Sequence, residues 1–406
     1  MGCPAPGPDH ASGPAPTVGE LARTHGAALL RAHALSEAQR RVLHDISVCR
    51  TPVLGGHMDA CAQCGFQRAV YHSCRNRHCP ACPALAQARW LEQRRERILP
   101  THYFHVVFTI PDTLLGPIAL RNRELFFNSM FIAASQTLLA LGNDPKRLGA
   151  QIGMTCVLHT WTRDLRFHPH LHCIVTGGGL TADGERWIST SQDYLFPVRV
   201  LSKLFRGKLI ARLEEARRDG RLKLKGLDGF DDPHKSDGAW HRLRDRLYKT
   251  AFVSYSKPPF GGADAVYAYL GRYTHRVGIS NRRLLTATSD TVTFQTRGDQ
   301  TATLHPVEFL RRLLLHVLPD RFVRLRHYGL LAPGNVNRRL LLARERSEAL
   351  RNTSAPQPPT VRAAAVTIDW RALLLLRAGI DVTRCPLCGS ALASRPLPPP
   401  AARDSS

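Results

Sequence analysis

The sequence predicts an α+β fold, in which a sheet is interrupted by long helical insertions. Residues 102–110, HYFHVVFTI, are β-branched and aromatic and predict a strand. GMTCVLHTW and HLHCIVTGG predict two more strands, and the polar TRDLRFHP between them is typical of an antiparallel pair. The apolar-periodic run from Ile118 to Leu141 predicts a long helix.

Further elements follow from local signals. In LSEAQRRVLHDISVC, Ser36 and Gln39 are spaced as a capping box, which predicts a helix leading into a cysteine-rich segment. Residues 196–226 are predicted to be helical and basic. VTFQTRGDQTATL, with its Gly-Asp turn, predicts a hairpin, and VEFLRRLLLHVL predicts a helix that begins near Pro306.

The charge of the chain is strongly basic. It has 56 Lys and Arg against 32 Asp and Glu, a formal net charge of +24, which favours a polyanionic partner, with nucleic acid as the first candidate. No run approaches about 18 consecutive apolar residues, and the first residues lack the pattern of a signal peptide. We therefore expect a cytoplasmic protein without a membrane span.

The cysteines predict a structural zinc site. Five of the 11 cysteines lie within residues 61–82, and in a reducing compartment such clusters indicate metal more often than disulfides. Cys61 and Cys64 form one CxxC pair, and Cys79 and Cys82 form another after fourteen intervening residues. Four thiolate ligands leave no open position, so the predicted site organises a small domain and is not catalytic.

Other candidate ligands leave alternatives open. Four residues of the same segment either replace one cysteine or build a second site: His57, His72, Cys74 and His78. Near the C-terminus, Cys385 and Cys388 form a lone CxxC pair. An incidental turn and a metal shared with another element are equal interpretations of that pair.

Three histidines at alternate positions predict a second kind of metal site. On a strand, His170 and His172 project from one face and Leu171 from the other. Two imidazoles leave the coordination shell open for water or a phosphate oxygen, as a catalytic metal requires. The third ligand stays open between His168, on the same face, and His105, on the preceding predicted strand.

The run VYAYLGRYTHRVGISNRR predicts a nucleophile beside that metal. Tyr269 and Tyr273 are four residues apart and share a helical face, whereas Tyr267 lies off it. Packing is the ordinary role of such a pair, but a histidine pair and a basic surface favour catalysis. The predicted DNA-binding side chains are Arg272, Arg276, Arg282 and Arg283.

Together these motifs resemble a known family. HPHLHC carries the histidine-hydrophobe-histidine (HUH) motif, and YLGRYTHRVGISNRR looks like the two-tyrosine motif of rolling-circle transposases of the insertion-sequence-ninety-one group. SCRNRHCPAC, HVVFTIP, YLFPVRVLSKLFRGK and RFVRLRHYG resemble that family in the same order. The likeness covers roughly residues 36–330.

The resemblance implies a fold and a mechanism. The fold is an HUH-type antiparallel sheet with flanking helices, preceded by a small zinc-binding module. One tyrosine attacks a phosphodiester of single-stranded DNA, forming a 5′-phosphotyrosine, and the second takes the next strand. The implied catalytic ion is Mg²⁺ or Mn²⁺, beside structural Zn²⁺. No GxxxxGK[ST] motif is present, so host replication or helicase proteins are the expected partners for strand separation.

The predicted domain organisation follows from these assignments. A disordered tail (1–20) precedes a helical, zinc-binding and DNA-binding domain (21–100) and the catalytic transposase domain (101–340). A linker and C-terminal segment with the CxxC pair (341–393) then leads to a second disordered tail (394–406).

The same sequence features are compatible with three rival functions. A rolling-circle replication initiator or a relaxase would share the tyrosine chemistry. A non-catalytic zinc-containing DNA-binding protein would explain the charge and the cysteines alone. A metal-dependent phosphodiesterase would use water as its nucleophile and leave no DNA attached to protein.

Overall fold

The computed structural model describes residues 15–82, 97–260, 278–352 and 381–398, together with five isolated positions between 371 and 379. The N-terminal part consists of two helices and a hairpin: α1 (Val18–Ala32), α2 (Glu37–Val48), β1 (Gly56–Ala60) and β2 (Gln67–Tyr71). Both helices begin with a capping box, Thr17 with Glu20 and Ser36 with Gln39. The second box confirms the prediction.

The middle of the chain alternates strands and helices. Its strands are β3 (Tyr103–Thr109), β4 (Gln151–Trp161), β5 (Phe167–Leu180), β6 (Trp187–Ser189) and β7 (Ser254–Phe260). Its helices are α3 (Asp112–Arg121), α4 (Arg123–Asn143), α5 (Val198–Arg218) and α6 (Pro233–Lys249). The helix predicted over 118–141 is divided at Asn122, whose backbone is not helical and whose side chain donates to the carbonyls of Ile118 and Lys223.

The last part adds a small sheet, a further strand of the large sheet and two helices. Its elements are β8 (Leu284–Ala287), β9 (Val292–Gln295), β10 (Thr301–Leu304), α7 (Pro306–Leu314), β11 (Leu325–Gly329), α8 (Arg339–Asn352) and β12 (Ala393–Leu397). The predicted hairpin is β9 and β10, and the helix predicted after Pro306 is α7.

The fold is α+β, as predicted. The central sheet has the order β11-β4-β5-β3-β7, with β6 beside β5, and every neighbouring pair is antiparallel. A second sheet has the order β10-β9-β8, and a third has the order β12-β1-β2. The predicted pair of β4 and β5 therefore lies in the middle of the large sheet.

The C-terminal strand corrects one prediction. Residues 394–397, predicted to belong to a disordered tail, form most of β12 and pair with β1, with Pro396 opposite His57. Proline has no amide hydrogen to donate, but β12 is an edge strand, where one side of the backbone needs no partner.

The two faces of the central sheet differ in character. Alternate residues of β3 and β5, among them Phe104, Phe108, Leu171 and Val175, enter the main hydrophobic core with α3, α4 and α5. Residues between them on β5, such as His170 and His172, point to the other face. Helix α4 is long and apolar enough to cross a membrane, but about two thirds of it is buried in this core.

A second core joins the N-terminal helices to the last part of the chain. It contains residues of α1 and α2, together with Phe294 of β9, Phe309 of α7 and Cys79. The Arg77 guanidinium donates to the carbonyls of Pro319 and Phe322 (3.0 and 2.7 Å). The cysteine-rich segment is therefore packed directly against residues 278–322.

The three consecutive glycines of β5 are explained by packing. Gly177, Gly178 and Gly179 all lie within β5. A Cβ atom on Gly177 would overlap the ring of His102, and one on Gly178 would lie 2.6 Å from the carbonyl oxygen of Ile188. Glycine is required there because neighbouring parts of the protein come so close.

Candidate metal centres

Three histidines meet on the face of the central sheet opposite the main core. His170 and His172 project from β5, and His159 projects from β4, where it is the register partner of His170. One potential ligand nitrogen from each ring lies within 4.8 Å of those from the other two. His170 and His172 are thus together as predicted, and His159 is the third member that the sequence did not reveal.

Hydrogen bonds at Nδ1 fix two of these rings. His170 Nδ1 lies 2.7 Å from the carbonyl oxygen of His168, and His172 Nδ1 lies 2.8 Å from His105 Nε2. A bond at Nδ1 favours Nε2 as the ligand atom and orients the ring for it. His105, the alternative third ligand, instead contacts His172 and positions it.

His168 does not belong to the group, so its prediction as a ligand is corrected. Its Nδ1 lies 3.0 Å from the carboxylate of Asp112, in the first turn of α3. The His168 ring remains beside that of His170, with centroids 5.4 Å apart. The strand face was predicted correctly, but the carboxylate of Asp112 holds this ring away from the group.

Burial keeps the group in the form that binds metal. His159 and His172 are 3% and 7% exposed. Desolvation lowers the pKa of His170 to about 4, while its bond to the His168 carbonyl opposes the shift. A neutral imidazole with a free electron pair is the form that coordinates an ion, so His170 needs no deprotonation at neutral pH.

The donor set indicates which ions fit. Among the described residues the group contains three imidazoles and no carboxylate. Imidazole suits Mn²⁺ and later transition metals better than Mg²⁺, which prefers oxygen ligands. Three protein ligands also leave coordination positions for a substrate oxygen.

Two aromatic residues border the group. The indole of Trp161 stacks on His159, with centroids 4.6 Å apart. Tyr255 of β7 is the register partner of Val107, and its ring lies 5.9 Å from that of His105. Its register and its contact with His105 place Tyr255 on the histidine face, and it is 37% exposed. Sequence reasoning did not single out this phenol.

The predicted nucleophiles lie in a segment that the structure does not describe, residues 261–277. The segment contains the predicted nucleophiles Tyr269 and Tyr273, as well as Tyr267. It also contains two of the predicted DNA-binding residues, Arg272 and Arg276. The chain before the segment runs along β7, and the chain after it begins at Gly278, where an added Cβ atom would contact Leu165 and Trp161.

The two remaining predicted DNA-binding arginines differ from each other. Arg282 is exposed. Arg283 donates to the carbonyls of Gln295 (2.7 Å), Gly278 (3.2 Å) and Arg163. These contacts anchor the chain after Gly278 to β9, so Arg283 has a structural role in the described arrangement.

Eight of the cysteines that the structure describes form two groups rather than one. The first contains Cys49, Cys74, Cys79 and Cys82, and the second contains Cys61, Cys64, Cys385 and Cys388. The predicted site of Cys61, Cys64, Cys79 and Cys82 is therefore wrong in its grouping. Cys61 and Cys64 lie at the tip of the β1–β2 hairpin, whereas Cys79 and Cys82 lie beyond its base, near the end of α2.

The first group shows the contacts expected of metal-binding thiols. Cys82 Sγ lies 3.5 Å from Cys49 Sγ and 3.6 Å from Cys74 Sγ. Hydrogen bonds from the Cys74 and Cys79 thiols lower the pKa of Cys82 to about 2, which favours the thiolate. Cys74 was among the open alternatives, while His57, His72 and His78 are not members of either group.

Two family models match the chain. The family model described as "Putative transposase" matches residues 153–339, which include the three histidines, and the model described as "Transposase zinc-binding domain" matches residues 21–110. Cys385 and Cys388 lie outside both matches.

Two relatives match over most of their length. "Putative transposase y4qJ" of Sinorhizobium fredii is 43% identical over 382 residues, covering 92% of this chain and 93% of that protein. "Transposase for insertion sequence element IS801" of Pseudomonas savastanoi pv. phaseolicola is 28% identical over 383 residues, covering 89% and 84%. No solved structure matches the chain.

Proposed function

Since the chain belongs to the IS91 family of transposases, we propose that it nicks and rejoins single-stranded DNA by metal-assisted tyrosine transesterification during rolling-circle transposition. The observation that carries this proposal is the group of His159, His170 and His172 on the face of the sheet opposite the main core. This arrangement suits a catalytic ion, because protein ligands occupy only three positions.

The histidines would hold Mn²⁺ or Mg²⁺ through their ring nitrogens. The ion supplies charge neutralisation at the scissile phosphate, which a phenol with an ordinary pKa near 10 needs for attack at neutral pH. His105 and the carbonyl of His168 hold two of the rings in place. The buried position of His159 and His172 excludes water from one side of the site.

Tyr269 and Tyr273 are the proposed nucleophiles. The phenolic oxygen of one tyrosine forms a bond to phosphorus, the bond from phosphorus to the 3′ oxygen breaks, and the phenolic proton ends on the released 3′-hydroxyl. A 3′-hydroxyl later attacks the phosphotyrosine and regenerates the phenol. The second tyrosine accepts the next strand while the first is occupied.

The chain around the undescribed segment supports this assignment. The segment is preceded by β7, the neighbour of β3. It is followed by Gly278, which lies beside Trp161, the residue that stacks on His159. Both ends of the tyrosine segment are thus attached to elements that border the histidine face.

Single-stranded DNA at the element ends and at the target is the proposed substrate. The net charge of +24 favours it, with Arg272, Arg276 and Arg282 at phosphates. No ATP-binding motif is present in the sequence, so host replication or helicase proteins would expose the single strands, in the bacterial cytoplasm. A replication initiator or relaxase would use the same chemistry, but both relatives are described as transposases.

The test is covalent trapping on labelled single-stranded DNA that carries an element end, with Mn²⁺. A 5′-phosphotyrosine retains the fragment on the 3′ side of the cut, so a 3′ label should migrate with denatured protein and a 5′ label should not. We expect His170→Ala to abolish cleavage and Tyr269→Phe with Tyr273→Phe to abolish the adduct. Tyr255→Phe is the matched control and should retain it.

The rival functions give different outcomes. Cleavage without an adduct for either label would identify a metal-dependent phosphodiesterase. Binding without cleavage would leave a DNA-binding protein. Loss of the adduct in Tyr255→Phe, with retention in Tyr269→Phe with Tyr273→Phe, would identify Tyr255 of β7 as the nucleophile.

A further inference from the structure

We propose that a second structural zinc ion, bound by Cys61, Cys64, Cys385 and Cys388, fastens the C-terminal segment of the chain to its N-terminal zinc-binding domain. The matched zinc-binding domain ends at residue 110, so it does not include the C-terminal pair. The inference is independent of the proposed chemistry at the histidines.

The sulfur positions fit one tetrahedral ion. Cys61 Sγ lies 3.5 Å from Cys388 Sγ, and Cys64 Sγ lies 3.5 Å from Cys385 Sγ. All four sulfurs lie within 4.8 Å of one another. Thiolates that are about 2.3 Å from a tetrahedral zinc are separated from each other by roughly 3.8 Å, so these spacings suit a Cys₄ site.

The two loops that carry the thiols are built alike, although they are far apart in sequence. Each reads Cys-x-x-Cys-Gly, and its glycine has a left-handed φ, 72° at Gly65 and 74° at Gly389. The amide of each glycine donates to the carbonyl of the first cysteine, at 3.1 and 2.9 Å. The amides of the first cysteines donate in turn to Phe66 and Ser390, at 2.8 and 2.7 Å.

This repeated turn is evidence beyond the proximity of the sulfurs. It directs two thiols to one side of each loop, and the two loops present them to the same point. An incidental turn at Cys385 would have no reason to reproduce the hydrogen bonds of the loop that it faces.

The strands behind the loops hold them in register. β12 pairs with β1 from Gly56 opposite Leu397 to Ala60 opposite Ala393, so Cys61 directly follows the paired region. The carboxylate of Asp59 is buried and accepts from Ser394 of β12 and from Arg68 of β2. The sheet therefore holds both cysteine loops next to each other.

Exposure differs within the group. Cys61 and Cys385 are buried, whereas Cys64 and Cys388 are exposed. The exposed pair gives a cation a route from solvent.

The direct test is zinc content of the full chain, measured by native mass spectrometry and by elemental analysis. We expect two zinc ions per chain and one in Cys385→Ser with Cys388→Ser. Leu387→Ala changes an exposed residue of the same loop that carries no ligand, and should keep both. Cys49→Ser with Cys82→Ser should lose the other ion and keep the one bound by Cys61, Cys64, Cys385 and Cys388.

Two results would overturn the proposal. One is retention of both ions in Cys385→Ser with Cys388→Ser. The other is wild-type protein with one zinc and a mass four hydrogens lower under non-reducing conditions, which would identify two disulfides.

Should the double variant fail to fold, the wild-type chain can be reconstituted with Co²⁺. Thiolate-to-cobalt absorption that rises linearly to two equivalents, with the intensity of four thiolates per ion, supports the proposal. Saturation at one equivalent contradicts it.

Discussion

Each clustered histidine depends on a neighbour that fixes its ring. His172 is held by His105, His170 by the carbonyl of His168, and the His159 ring is stacked against Trp161. Partners of this kind set the orientation of a ligand, and their loss commonly costs roughly 10-fold to 100-fold in metal affinity. Substitution of these neighbours therefore tests metal binding at the group, as substitution of the clustered histidines does.

The first prediction compares His159 with His105, the partner of His172, and with the neighbouring His168. His159→Ala should nearly abolish Mn²⁺ binding, and His105→Ala should weaken it by about 10-fold to 100-fold because His172 loses its orienting bond. His168→Ala is the control, since the His168 side chain contacts Asp112 and not the group. The substitution also leaves in place the backbone carbonyl that holds His170. Titration calorimetry measures all three, and equal losses for His105 and His168 would contradict these roles.

A buried histidine outside the site should make stability depend on pH. Burial lowers the pKa of His316 to about 3, from an ordinary value of 6.5, and the Arg123 charge adds to the shift. Its ring nitrogens contact Thr160 Oγ1 and the carbonyl of Leu165. Because the folded pKa is lower, stability from the neutral ring is complete above pH 6.5 and falls as the pH drops toward 3.

The second prediction follows from that sign. Between about pH 6.5 and pH 5, the His316 contribution to the free energy of unfolding should fall by about 2 kcal/mol, since one pKa unit corresponds to about 1.4 kcal/mol. His316→Asn should be less stable near neutral pH but lose less on acidification. Urea unfolding at both pH values measures the difference, and parallel losses in both proteins would disprove the assignment.

At the scale of elements, the sequence predicts what local signals determine. The box of Ser36 and Gln39, the strand HYFHVVFTI and the hairpin of β9 and β10 all formed as expected. Partners that depend on strand register or long-range pairing were missed. His159 reaches His170 and His172 only when β4 and β5 pair in one register, and Cys385 meets Cys64 across 321 residues.

The third prediction concerns the glycines of β5. Gly177→Ala should destabilise the protein by about 1–3 kcal/mol, because the added Cβ atom would overlap the His102 ring. Gly116→Ala adds the same methyl group within α3. No atom beyond the neighbouring residues and the helix's own backbone lies within 4 Å of the added Cβ atom, so this change should be neutral or stabilising. Denaturant unfolding measures both. Equal destabilisation would mean that the crowding at His102 relaxes without cost.

At the scale of the whole molecule, segments that are distant in sequence pack together. α1 and α2 share a core with β9 and α7, and β12 completes the sheet of β1 and β2. The linear order of segments predicted from composition does not reveal this, because composition carries no information about which distant surfaces meet. The formal net charge of +24 favours a polyanionic partner.

The last prediction uses that charge to identify the arginines that contact DNA. Binding of single-stranded DNA should weaken as salt rises, with a slope of log affinity against log salt of about −0.7 for each phosphate contacted. Arg282 is exposed, so Arg282→Ala should reduce the slope by about 0.7. Arg283→Ala removes the same charge one residue later, but its guanidinium donates to three backbone carbonyls. Arg283→Ala should therefore lower thermal stability and leave the slope nearly unchanged. Fluorescence anisotropy titrations measure the slope for both variants. A reduced slope for Arg283→Ala and an unchanged slope for Arg282→Ala would contradict these roles.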